Sequence, residues 1–126
     1  MRKILGVFAL LTFSHFSYAQ IDCNTVTNSD DLIFCAKQSL KKSTENFDQL
    51  STKLMSSVLI SPATKRKLNS YYAKSAILLA KACKDTFPDG RLRDMYIDSC
   101  IAAQLDTLSQ SKRIFICAQQ DAEGCQ

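Results

Sequence analysis

Apolar residues recur along this chain at three- and four-residue intervals in three long stretches, separated by two short breaks. In the first stretch, Leu32, Cys35, Ala36, Leu40, Phe47, Leu50, Leu54 and Val58 fall on one stripe. Lys37, Lys41, Lys42, Glu45 and Lys53 lie largely off it. That period belongs to an amphipathic helix. The residues before it, Asn24 to Ser29, are rich in cap-forming side chains. Asn28 with Asp31, or Thr27 with Asp30, supplies a capping pair with acid in the first turn. The pattern predicts a helix over 29–59. Ser61-Pro62 then restarts the chain, serine as N-cap and proline at the first helical position. A second helix runs to about Thr86, with Leu68, Tyr72, Ala76, Leu79 and Cys83 on one face. Phe87-Pro88-Asp89-Gly90 has the composition of a turn. A third helix over 92–119 would bury Met95 or Tyr96, Cys100, Ile101, Leu105, Leu108 and Phe115, and Gly124 stops the tail. Short connections between long helices make neighbours antiparallel. The expected fold is therefore all-α, a small antiparallel three-helix bundle.

The first nineteen residues stand apart from this pattern. Arg2 and Lys3 precede a ten-residue apolar run from Ile4 to Phe13, and Ser17-Tyr18-Ala19 places small residues at the −3 and −1 positions of a cleavage site. That is the layout of a secretory signal peptide cut before Gln20. The run is shorter than the roughly 20 residues a spanning helix needs. Residues 1–19 thus read as signal peptide and 20–126 as a single helical domain, exported to a periplasm or secreted. No membrane insertion is expected after cleavage.

Removal of the leader changes the chemistry. Arg2 and Lys3 account for two of the 16 basic residues, so 14 face 12 acidic ones, and the formal charge falls from +4 to +2. That balance is too weak and too scattered along the chain to imply nucleic acid or an anionic membrane. The one histidine, His15, also leaves. The remaining chain then has no Ser-His or Cys-His catalytic pair and no imidazole metal ligand. The expectation is a binding protein without cofactor or metal, not an enzyme.

All six cysteines, Cys23, Cys35, Cys83, Cys100, Cys117 and Cys125, follow the leader. An even count in an exported chain reads as a disulfide framework. A thiolate metal site fits poorly, since no two cysteines form a C-x-x-C pair. Six cysteines permit fifteen connectivities. The antiparallel layout puts Cys35, Cys83 and Cys100 at one end of the bundle. There Cys23 can fold back on Cys35, and Cys83 and Cys100 bracket the Pro-Gly turn. Cys117 lies at the other end, where the tail can return Cys125. Nearest-neighbour pairing, Cys23–Cys35, Cys83–Cys100 and Cys117–Cys125, suits this layout best.

Asp22-Cys23, followed by a polar run into Phe34-Cys35-Ala36, resembles the opening of the lysozyme inhibitor LprI-like N-terminal domain family. Cys83 at a helix end and Cys100 in the next helix are similar to that family's second cysteine pair, as are the aliphatic and small residues before Cys83 and Tyr96 four before Cys100. The resemblance spans Asp22 to Phe115. Ser75 and Leu79 stand about where the family has Trp and Arg, and Cys117 and Cys125 are an addition. It implies a small exported helical domain in bacteria, with inhibition of a lysozyme or related cell-wall hydrolase as its activity.

The segment Phe87 to Arg93 is the leading candidate for partner contact. A disulfide beneath it would fix its shape and reduce the ordering lost on binding. Phe87, Arg91 and Arg93 are of types enriched at binding hot spots, and with Asp89 they form the expected partner-binding set. An inserted arginine could pair with the two carboxylates of a lysozyme-type cleft. The plain alternative is a helix-to-helix turn with Phe87 capping the core. Asp94 and Asp98 read as an exposed acidic face, and Lys65-Arg66-Lys67 as a solvated basic one, with a patch for an anionic partner as the lesser alternative. Asp85 and Asp89 do not complete a calcium loop, because Phe87 and Tyr96 fall where ligands are required. Tyr71 and Tyr72 are adjacent, so one must leave the apolar stripe. Two other functions compete with inhibition of a hydrolase: immunity against a toxin delivered to the periplasm, and, least favoured, a hydrolase or redox enzyme.

Overall fold

The computed structural model describes residues 21–119. The expected leader over 1–19, the expected cleavage site before Gln20, and the tail carrying Cys125 lie outside the described residues.

Three α-helices follow one another: α1, Ser29–Ser56; α2, Pro62–Thr86; and α3, Arg93–Gln119. They pack as an antiparallel all-α bundle, with no strand among the described residues. The capping chemistry sets the helix starts. Asn28 is the N-cap of α1, its Oδ1 accepting from the Asp31 backbone N–H at 2.9 Å, and Asp30 and Asp31 lie in the first turn. Ser61 caps α2 by accepting from the Thr64 N–H, with Pro62 at the first helical position.

The first helix ends three residues earlier than its apolar period implies, and the expectation that Val58 joins the core is corrected. Ser57 already has extended backbone at ψ 128° and closes α1 through its N–H to the Lys53 carbonyl. The turn over 57–61 buries Ser57 and Ile60 and turns Val58 outward at 93% exposure, with Leu59 beside it. Ile60 takes over the apolar position, packing with Leu50, Leu54, Tyr72 and Ile116 against Phe47, Leu68, Leu108 and Phe115.

The principal interface joins α1 and α3, whereas α2 lies mainly on α3 and touches α1 least. Small buried residues, Ala36 and Ser43 on α1 and Ala102 and Ser109 on α3, leave room for close approach of backbones. At the start of α3 the inward residue is Ile97, with Met95 half-buried and Tyr96 outside. Buried positions then run Ala102, Leu105, Ser109, Lys112 and Ile116, a three–four alternation that keeps one face on α1.

Disulfides Cys23–Cys35 and Cys83–Cys100 are formed as the layout requires. The first ties the segment before α1 to that helix, and the second ties the end of α2 to α3. Cys117 is also disulfide-bonded, and its expected partner, Cys125, lies outside the described residues.

Candidate functional site

The segment 87–92 turns the chain from α2 into α3 above the Cys83–Cys100 bridge. Phe87 is the C-cap of α2, in extended conformation. Three independent ties hold this corner. The Cys83–Cys100 bond closes it from below. Arg93, the first residue of α3, reaches back over the end of α2. Its Nε donates to the Phe87 carbonyl at 3.1 Å, and one terminal nitrogen donates to the Lys84 carbonyl at 2.9 Å. Those carbonyls sit at the negative end of the α2 dipole, where a guanidinium is favoured. The same side chain lies 3.4 Å from Asp89, whose carboxylate is otherwise open to water. Finally, the Phe87 ring stacks on Tyr96, with centroids 5.6 Å apart and planes 19° from parallel.

These ties leave a shallow, mostly apolar depression of about 300 Å³, lined by Phe87, Pro88, Asp89, Leu92, Arg93 and Tyr96. The four candidates therefore divide. Phe87, Asp89 and Arg93 come together at the depression, and Arg93 is committed to building the corner. Arg91 stands apart and extended. Among the described residues it pairs with Asp30 at 4.0 Å, and both side chains are more than three-quarters exposed, so the pair is weakly held. Tyr96, 48% exposed, belongs to the surface, a place the apolar pattern does not assign to it. Its position four residues before Cys100 was the available signal.

Sequence reasoning missed a second feature. Lys112 is fully buried, at 0% exposure, where α1 and α2 meet α3. Its ammonium donates to the Phe47 carbonyl at 3.1 Å and to Ser51 Oγ. It sits over the Phe47 ring, 3.3 Å from the centroid, and 5.2 Å from that of Tyr72. Burial pushes its pKa down to about 8, with the Asp48 carboxylate opposing the shift. The signal was a lysine on the stripe of Leu105 and Ile116. The enclosed amine thus bridges α3 to α1 while carrying the desolvation cost of a buried charge. Tyr72 adds a bond from its hydroxyl to Ser111 at 3.0 Å, while Tyr71 faces outward.

Among the described residues, no group of three or more His, Cys, Asp or Glu side chains is placed to hold a metal. None of the three helices is long and apolar enough to cross a membrane. Comparison with protein-family models, curated proteins and solved structures returned no match.

Proposed function

We propose that the protein is an exported, disulfide-stapled binding module that engages a protein partner through the α2–α3 corner and acts without chemistry of its own. Its leading target class is a lysozyme or related cell-wall hydrolase. One observation carries this reading. The corner is locked by a disulfide, two charged hydrogen bonds and an aromatic stack, yet leaves an apolar depression open, with the exposed, weakly paired Arg91 on the same turn. A surface ordered before contact loses little entropy on binding. Aromatic anchors with an adjacent arginine are the residue types that dominate interface energies. Export is supported by the leader-like start of the chain and by disulfides, which persist in oxidising compartments. The resemblance to the LprI-like family supplies the target class, and Arg91 supplies a cation suited to a cleft that carries two carboxylates.

The test is inhibition of cell-wall lysis by the oxidised, processed protein, added in excess to lysozymes of several types. The wild type should slow lysis by at least one of them. Arg91→Ala and Tyr96→Ala should each weaken inhibition roughly tenfold or more, the size of a hot-spot truncation. Slowing of none of the enzymes rejects the target class. Inhibition that survives both substitutions rejects the corner as the contact.

A further inference from the structure

The charge that is small over the whole chain is not evenly spread through the fold. In α1 four basic residues face four acidic ones, and in α3 three face three. In α2, by contrast, Lys65, Arg66, Lys67, Lys74, Lys81 and Lys84 face Asp85 alone. All but Lys65 of these cations are exposed. Helical geometry aligns Lys67, Tyr71, Lys74, Leu78 and Lys81, spaced four, three, four and three, on one strip about 21 Å long. Tyr71 and Leu78 on this strip, and Ile77 beside it, are 61%, 68% and 72% exposed. Arg66, Lys67, Ser70, Tyr71 and Lys74 border a shallow, open depression. The turn leading into the helix adds exposed Val58 and Leu59, and Lys65 is tied back to this turn through the Met55 carbonyl at 3.1 Å.

We infer that the outer face of α2, with the turn before it, is a peripheral docking surface for an anionic phospholipid bilayer. Lys67, Lys74, Lys81 and Arg66 meet lipid phosphates, and Val58, Leu59, Tyr71 and Leu78 rest at headgroup level. Two properties select this occupant. The face is exposed and open, and its apolar residues are interleaved with long cationic side chains whose stems can lie along apolar material while their heads stay wet. Such a mixed strip can lie along a headgroup layer without inserting a helix, its cations on the phosphates and its apolar tips between them. Second, the excess positive charge attracts an anionic plane and repels another copy of the same helix, which argues against self-association through these exposed side chains. The surface is formed by residues other than those of the α2–α3 corner, so it can fail without affecting that site, and the reverse also holds.

Co-sedimentation of the oxidised protein, with its leader removed so that the leader cannot itself bind lipid, tests the inference. Vesicles containing phosphatidylglycerol should retain the protein at low salt and release it at high salt, and pure phosphatidylcholine vesicles should not retain it. A lysine near an anionic surface contributes about fivefold to partitioning, so Lys67→Gln with Lys74→Gln should lower binding roughly 25-fold. Val58→Ser with Leu59→Ser should weaken it further. All four side chains lie outside the core, so thermal unfolding should be unchanged and loss of binding is not loss of fold. Equal retention by both vesicle types, retention by neither, or indifference to the lysine substitutions overturns the proposal. Two further results would also overturn it by assigning the face elsewhere. Retention on immobilised polyglutamate without vesicle binding gives it to an acidic protein. A dimer in sedimentation equilibrium that Leu78→Ser dissolves gives it to a second copy.

Discussion

Replacing Lys112 with methionine should remove a pH-dependent penalty and stabilise the fold at neutral pH. In the native bundle the lysine's pKa stands at about 8 instead of the ordinary 10.5, chiefly because the ammonium is buried. At 1.36 kcal/mol per pH unit the gap amounts to about 3 kcal/mol. The direction is that of a base held more weakly when folded. Between pH 8 and 10.5 the unfolded chain binds more protons than the native one, so stability rises with pH there. Below that window the full cost of a buried charge is present, and above it the cost is gone. Methionine has similar length and no charge, and its insertion orphans nothing on α1. The Phe47 carbonyl still accepts from Ser51 Oγ, at 3.0 Å. The lost ammonium bonds and ring contact offset part of the gain, leaving a net stabilisation of about 1–3 kcal/mol, the range seen when buried charges give way to apolar residues. Urea unfolding of wild type and Lys112→Met across pH 7 to 10 reads this directly. Their midpoints should differ by roughly 1 M at pH 7 and converge as the lysine loses its proton. Other titrating groups are common to both proteins and cancel in the difference. Parallel profiles, or a variant less stable than wild type by about 1 kcal/mol or more at pH 7, would refute the reasoning and show that the ammonium is net favourable where it sits.

The two arginines of the corner should separate in a thermal melt. Arg93→Ala strips charged donors from the Lys84 and Phe87 carbonyls and should cost about 1–2 kcal/mol; Arg91→Ala loses only an exposed pair and should stay within about 0.5 kcal/mol. Leu54→Ala, at a side chain with 0% exposure in the main cluster, should cost about 2–5 kcal/mol by denaturant unfolding. Removal of the bond that closes a 17-residue separation, in Cys83→Ala with Cys100→Ala, should cost about 3 kcal/mol on the chain-entropy model, read as a lowered midpoint in a thermal scan.

Helix boundaries were legible where local chemistry marks them. Asn28, Ser61-Pro62 and Pro88 each announce a start or stop through groups that satisfy, or cannot satisfy, the backbone. The end of α1 has no such marker. The apolar period continues through Val58, and only the tertiary position of Ile60 shows that the chain has already turned. In α3 the period placed Leu105, Leu108 and Phe115 in or against the core, but at the start of the helix several apolar residues compete for the inward position, and Ile97 is buried where Tyr96 lies outside. Lys112 escaped notice because a lysine on an apolar stripe is ordinarily taken to extend to the rim, whereas Ser51, the Phe47 carbonyl and an aromatic face capture this one inside. The corner was visible as a composition. That Arg93 is spent on the carbonyl end of α2, leaving Arg91 outermost, depends on side-chain reach that spacing does not encode.

Both described disulfides join cysteines that are consecutive in the chain, 12 and 17 residues apart. Any process that delivers the polypeptide N-terminus first therefore presents each thiol with its correct mate as the very next one to emerge. If oxidation keeps pace with delivery, Cys23 is already consumed by Cys35 before Cys83 appears, and no earlier sulfur is left to trap it. Correct connectivity then follows from the order of arrival, and the slow reshuffling of mispaired bonds, which takes seconds to hours, is bypassed.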